Sequence, residues 1–317
     1  MIKVKGLKKA YKTRVKRQTV SVEAVKGIDL DVAEGEIFGF LGPNGAGKTT
    51  TLRVLATLIP FDEGEASIAG ADLHGDSGAV RRAIGFVAQS GGTTDDATGR
   101  EEMILQARMY GLGKAEAAGR AQEVITAFDM ADFADRRCKT YSGGQRRRVD
   151  IALGVIHRPR VLFLDEPTTG LDPQSRAHMW DEIRRLRDEG MTVFITTHYL
   201  DEADALCDRL AIIDHGEIVA EGTPEALKRE ISGDVVTVGV GDLAEKASEV
   251  LAGQPFAKGI EVRDEGELRL NVEAGETAIP QIMRALEGAG IALTTIELHR
   301  PTLDDVFLTK TGRSLRD

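Results

Sequence analysis

Residues Gly42–Thr49 read GPNGAGKT, with EIFGFLG before them reading as a buried strand and TTTLRVLATL after them as a helix. A G-x-x-x-x-G-K-[ST] run between a strand and a helix is the pattern of a phosphate loop. Gly42, Gly45 and Gly47 let the backbone curl so that successive N–H groups point inward, and the following helix adds its positive end. Lys48 is placed to neutralise β- and γ-phosphates, and the Thr49 hydroxyl to ligate Mg²⁺.

Outward from this loop the same logic extends to other strand ends. Val161–Glu166 reads VLFLDE, four buried-strand positions ending in two carboxylates. An Asp at that place orders Mg²⁺ in phosphate-loop proteins, which assigns Asp165 to the metal and leaves Glu166 to polarise a water aligned with the γ-phosphate. TVFITTH ends an apolar strand with His198, and IGFVAQ ends one with Gln89. A lone polar residue at a strand end is ordinarily a surface residue, but ligands of open parallel sheets bind outside the carboxyl ends of the strands. His198 is therefore expected at the γ-phosphate, and Gln89 at both Mg²⁺ and the attacking water. In YSGGQRRRVDIAL, Ser142 caps a helix while Gly143 and Gly144 expose its first N–H groups, a second anion site on one chain. The economical use of both sites is a two-fold dimer, each subunit's Ser142–Gln145 helix end covering phosphate held by its partner's loop.

The wider pattern is an alternation of strands and helices through about residue 230, implying a largely parallel sheet flanked by helices, with a helical block over about 98–137. IKVKGL and KGIDLDV read as the first strands, separated by the basic stretch KTRVKRQTV, and the polar EGTPEALKREISG closes this part. From 233 to 317 the order becomes β-α-β-β-α-β, a ferredoxin-like arrangement. The predicted fold is an α/β phosphate-loop domain with a mixed sheet and helical subdomain over 1–230, followed by a small α+β accessory domain over 233–317. A chain of 317 residues fits two domains, because single cores stop growing at roughly 250–300 residues. With 41 Lys and Arg against 51 Asp and Glu, the formal charge is −10, which disfavours nucleic acid as a main partner. Cys138 and Cys207 have no metal-type spacing, and no run of 18 apolar residues occurs, so a reducing compartment and no membrane span of its own are expected.

Together these motifs resemble the ATP-binding cassette family over about residues 1–230. GPNGAGKTT, that is Gly42, Pro43, Asn44, Gly45, Ala46, Gly47, Lys48, Thr49 and Thr50, is similar to its Walker A loop, VLFLDEP to its Walker B strand and SGGQ to its signature motif. Gln89 corresponds to the Q-loop, Gly170-Leu171-Asp172 to the D-loop, His198 to the switch histidine and Tyr11 to the aromatic residue that stacks on adenine. The signature opens with Tyr141 in place of the usual Leu, and the stretch from Tyr11 to Val25 is longer than usual. The resemblance implies ATP and Mg²⁺ as ligands and a homodimer closed through the ATP sites. TGREEMILQARMYGL, TTHYLDEAD and RPTLDDVFLTKTG are further similar to drug-resistance exporter ATPases typified by daunorubicin resistance, many of which carry a short C-terminal domain. That resemblance implies a cytoplasmic subunit, peripheral on the inner face of the cell membrane. It would power export of a drug, antibiotic or lipid through a separate polytopic permease that the helical block contacts. A soluble cassette protein of translation or DNA repair is the alternative, which two cassettes in one chain, long coiled coils or zinc sites would mark. A small-molecule phosphotransferase would leave SGGQ and Glu166 unexplained.

Overall fold

The computed structural model describes residues 1–15, 18–231, 233–263 and 266–312. Its contacts divide the chain into two units, Met1–Thr223 and Pro224–Asp317.

The first unit opens with a long hairpin, β1 (Ile2–Val15) and β2 (Gln18–Val32), and then β3 (Ile37–Leu41) leads through the glycine loop into α1 (Lys48–Leu55). β4 (Glu63–Ile68), β5 (Ala71–Asp72), α2 (Ser77–Ala83) and β6 (Ile84–Val87) follow. The helical block comprises α3 (Gly99–Met109) and α4 (Lys114–Ala127), and α5 (Gly143–Val155) returns the chain to the sheet. Strands and helices then alternate through β7 (Val161–Asp165), α6 (Pro173–Asp188), β8 (Thr192–Thr197), α7 (Leu200–Leu206) and β9 (Arg209–Asp214), and β10 (Glu217–Gly222) folds back.

Two sheets result. An antiparallel sheet has the order β2-β1-β4-β5, and a mixed sheet the order β10-β9-β3-β8-β7-β6, in which only β10 runs antiparallel to its neighbour. Every residue of β3, β7 and β8 is buried, as expected of parallel strands covered on both faces. Phe194 of β8 packs with ring centroids 5.6 Å from each of Phe38, Phe40 and Phe163, and the antiparallel sheet adds Ile2, Leu7 and Leu30 to the same core. This order puts the carboxyl ends of β3, β8, β7 and β6 side by side along one edge.

The second unit contains α8 (Pro224–Ile231), β11 (Val235–Gly239), α9 (Ala244–Ala252), β12 (Ala257–Arg263), β13 (Glu267–Val272), α10 (Gly275–Gly288), β14 (Thr295–His299) and α11 (Leu303–Thr311). Its sheet, β12-β13-β11-β14, is antiparallel throughout, the ferredoxin-like order. Val236, Val238, Leu268 and Leu270 meet Leu251, Ile282 and Leu286 of the two helices in a core of their own.

Three local expectations need correction. The basic stretch between the first strands is not a separator, because pairing continues to Val15↔Gln18; Lys16 and Arg17 lie outside the described residues. Tyr11, Val20 and Val22 are strand-forming types, and backbone pairing does not require an apolar face. The polar stretch after residue 220 contains a helix, α8, which buries Pro224 and Leu227 and packs against α11. The division between units accordingly falls before α8, at Thr223, and not after it. The helix α11, closed by a capping box between Thr302 and Asp305, adds to the six-element ferredoxin order.

Candidate functional site

The loop between β3 and α1 fits only because its glycines lack side chains. A Cβ on Gly42 would lie 2.3 Å from the Ile213 carbonyl, and one on Gly47, whose φ is +111°, would lie 2.4 Å from that of Ala24. Pro43, Asn44, Gly45, Gly47, Lys48, Thr49 and Thr50 line a cavity of about 190 Å³ together with Gln89 and Glu166. Gly42 and Ala46 shape the loop from beneath, Ala46 being buried.

Lys48 is 4% exposed. Its Nζ donates to the carbonyls of Gly42 (2.7 Å) and Pro43 (3.1 Å) and lies 3.3 Å from Glu166 Oε1. Burial pushes its pKa down, and the charges of Glu166 and Asp165 oppose that shift. The lysine is thus held within the loop it serves.

Glu166 follows β7 at φ +44°, a left-handed conformation uncommon for a non-glycine residue. Its N–H donates to the Thr196 carbonyl and hydroxyl, both at 3.1 Å. Glu166 Oε2 accepts from Gln89 Nε2 (3.0 Å) and Thr169 Oγ1 (3.4 Å), and His198 Nδ1 lies 3.1 Å away. Asp165 Oδ1 accepts from Thr196 Oγ1 (2.7 Å) and Thr49 Oγ1 (3.2 Å). Lys48, Thr49, Gln89, Asp165, Glu166 and His198 therefore converge at one sheet edge. Thr49, Asp165 and the amide oxygen of Gln89 are hard oxygen donors, and no group of three or more His, Cys, Asp or Glu among the described residues could cage a metal. That sparse oxygen set fits Mg²⁺, which keeps waters and shares its shell with substrate phosphates.

Other expected site residues stand elsewhere. Ser142 caps α5, its Oγ accepting from Gln145 N while Gln145 Oε1 accepts from Ser142 N. Ser142, Gly144 and Gln145 line a separate cavity with Arg148, Ser175 and His178; Gly143 is the first residue of α5. Asp172 caps α6 through Ser175, and Tyr11 stands 41% exposed on β1; neither lines the loop cavity. Tyr141, in place of the usual Leu, uses its hydroxyl to accept from Gly99 N (3.1 Å) and reach the Phe133 carbonyl (2.9 Å), tying α5 to the helical block.

Sequence reasoning missed Arg147. It is 7% exposed and donates to the carbonyls of Ala88 and Pro167 (both 2.7 Å) and Asp165 (3.1 Å). The available signal was helical spacing, since Arg147 shares the face of Ile151 and Gly154, which are buried.

Both units of the chain are similar to known proteins. The family model for the ABC transporter matches residues 25–169, and that for the C-terminal domain of ATP-binding protein DrrA1-3-like matches residues 222–311. The daunorubicin resistance ATP-binding protein DrrA2 of Streptomyces coeruleorubidus is 44% identical over 291 residues, covering 91% of this chain and 90% of that protein. The linearmycin resistance ATP-binding protein LnrL of Bacillus subtilis is 35% identical over 320 residues, covering 100% of both. Among solved structures, the dimeric post-hydrolysis state of the ATP-binding cassette MJ0796 bound to ADP and Pi superposes with a TM-score of 0.63 at 28% identity, covering 70% of this chain and 98% of that one.

Proposed function

The chain belongs to the ABC transporter ATP-binding family, and from that premise we propose that it powers export of a drug, antibiotic or lipid through a separate polytopic permease. The relatives are named for resistance, which favours this reading over translation or DNA repair. No helix among the described residues is long and apolar enough to cross a membrane, and in this reading a separate permease supplies the passage. Exposed Leu105, Met109 and Tyr110 on or beside α3 offer the apolar surface on which that permease would seat, with this subunit peripheral to the membrane.

The carrying observation is that one chain holds a phosphate cavity complete with Lys48, Gln89 and Glu166 while its second anion site, the Ser142 end of α5, lines a different cavity. A two-fold homodimer would use both. In that dimer the loop N–H groups and Lys48 bind β- and γ-phosphates, which requires Lys48 to exchange Glu166 for phosphate oxygen. Thr49, Asp165 and Gln89 would hold Mg²⁺, which when bound neutralises charge on the phosphates. Glu166, released from Lys48, takes a proton from the attacking water, and His198 and Gln89 orient it. Asp172 would reach the nucleotide across the two-fold axis, and Tyr11 would meet adenine. The second unit would regulate or stabilise the assembly.

The testing experiment is the solution mass of Glu166→Gln with excess MgATP. A doubled mass with ATP and a single-subunit mass with ADP are expected. A single-subunit mass under both, in a protein shown to bind ATP, would remove the dimer from the reading.

A further inference from the structure

Arg147 lies outside the nucleotide cavity, yet its guanidinium grips the main chain on both sides of Glu166 and at the root of Gln89. Nε donates to the Pro167 carbonyl at 2.7 Å, Nη2 to the Asp165 carbonyl at 3.1 Å and Nη1 to the Ala88 carbonyl at 2.7 Å. A planar fork with fixed donor directions can satisfy three carbonyls on two strand ends at once, which an ammonium cannot. The carbonyls bracket a residue at φ +44°. Such a conformation is strained for a non-glycine residue and persists only where its surroundings over-determine it. Thr196 holds the N–H of Glu166, and Arg147 holds the carbonyls on either side.

The same helix holds the segment beyond Gln89. Asp150 Oδ1 accepts from Gly92 N (2.9 Å), and Arg146 donates to the Thr93 hydroxyl (2.8 Å) and carbonyl (2.9 Å). A Cβ on Gly91, at φ +75°, would lie 2.6 Å from Asp150 Oδ2, so a side chain there would push the Asp150 carboxylate away from the loop. The helix that begins at Ser142 is thereby fastened to Gln89 from both directions and to Glu166 through one side chain.

We propose that Arg147 is a positioning residue for hydrolysis, setting Glu166 and Gln89 from the helix whose start is the second anion site. Burying a guanidinium is costly unless its donors are used, and here they are used on the two segments that carry the water-activating groups.

This inference rests on the reading of Glu166 as the base, and the experiment keeps the two apart. Steady-state ATPase and equilibrium MgATP binding are measured on the full chain for wild type, Arg147→Lys, Arg147→Gln, Glu166→Gln and the double variant Arg147→Lys/Glu166→Gln. Arg147→Lys should lower kcat by about 10²-fold, the scale of a misplacement near 1 Å, with KM for ATP near wild type in a protein that is still folded at the assay temperature, its thermal midpoint lowered by the carbonyls left without a donor. Lysine preserves charge and stem, so its failure to rescue assigns the effect to the fork. The double variant should be no slower than Glu166→Gln alone within about threefold, because residues that act as a unit are not additive. Wild-type kcat in Arg147→Lys, a rise in KM at unchanged kcat, or a fully multiplicative loss in the double variant would overturn the proposal. Should Arg147→Gln fail to fold, the lysine variant decides alone. A near-wild-type rate in Glu166→Gln would instead sink the base assignment.

Discussion

At the scale of single residues, Lys48 and Glu166 are in buried contact, and in the proposed mechanism nucleotide separates this charge pair before chemistry begins. Glu166→Gln keeps the side chain's size and removes its basicity. We expect hydrolysis to slow by about 10²–10⁴-fold, the range of general-base catalysis, with MgATP affinity no weaker than wild type, since Lys48 then loses a competitor. Steady-state rates beside equilibrium binding check both halves; a near-wild-type rate at matched occupancy would shift the water to His198. Glu202 offers a pH test of a different kind. It is fully buried, and its carboxyl is pushed above the ordinary glutamate value of 4.5 by burial, opposed by hydrogen bonds from Thr197, Thr168 and Trp180. A carboxyl raised in the folded state supports stability fully below the unfolded value of 4.5, and that support is lost as pH rises through the folded value. Glu202→Gln should therefore gain thermal midpoint relative to wild type as pH rises from 4.5 through that value. A constant difference across this window would show that Glu202 does not titrate there.

At the scale of elements, the starts of α1 and α5 are the two proposed anion sites, built in different ways. The first depends on a glycine backbone. In Gly47→Ala the new Cβ would meet the Ala24 carbonyl at 2.4 Å on a backbone with φ +111°. Strain of that kind costs about 1–3 kcal/mol, so we expect a lower thermal midpoint together with loss of nucleotide binding, read by calorimetry and by equilibrium titration with MgATP. The second depends on the Ser142–Gln145 capping box, whose loss costs about 1 kcal/mol. Ser142→Arg adds bulk where a partner's phosphate would approach, while Ser142→Ala removes only the cap. Ser142→Arg should bind nucleotide in its own loop but lose dimerisation and hydrolysis, and Ser142→Ala should keep more of both. Equal activity in Ser142→Arg and wild type would exclude a site shared across the dimer.

At the scale of the whole molecule, each unit has its own core, and the loop cavity is lined from the first alone. A chain ended after Thr223 should bind MgATP with wild-type affinity and lose any regulation that the second unit supplies; absent binding in a folded truncated protein would refute that separation. Much of this organisation was legible in the residues themselves. The glycine loop, the VLFLDE strand, the Ser142 cap and the β-α-β-β-α-β order are set by local periodicity, backbone freedom and capping, which depend on neighbours in the chain. The sequence did not reveal α8 as a helix of the second unit, because its buried side is a contact with α11, at the far end of that unit. Nor did it show Asp172 spent on capping α6 and Tyr11 outside the cavity. The chain by itself determined which strand ends carry the polar residues of the candidate site and which glycines the loop after β3 requires. Only the tertiary structure decided that Gln89 and Glu166, 77 residues apart, share a hydrogen bond, and that Arg147 turns inward to hold both segments. The reason is physical: those meetings follow from the order β3-β8-β7-β6, set by how parallel strands cross over and pack, and no local pattern encodes that order.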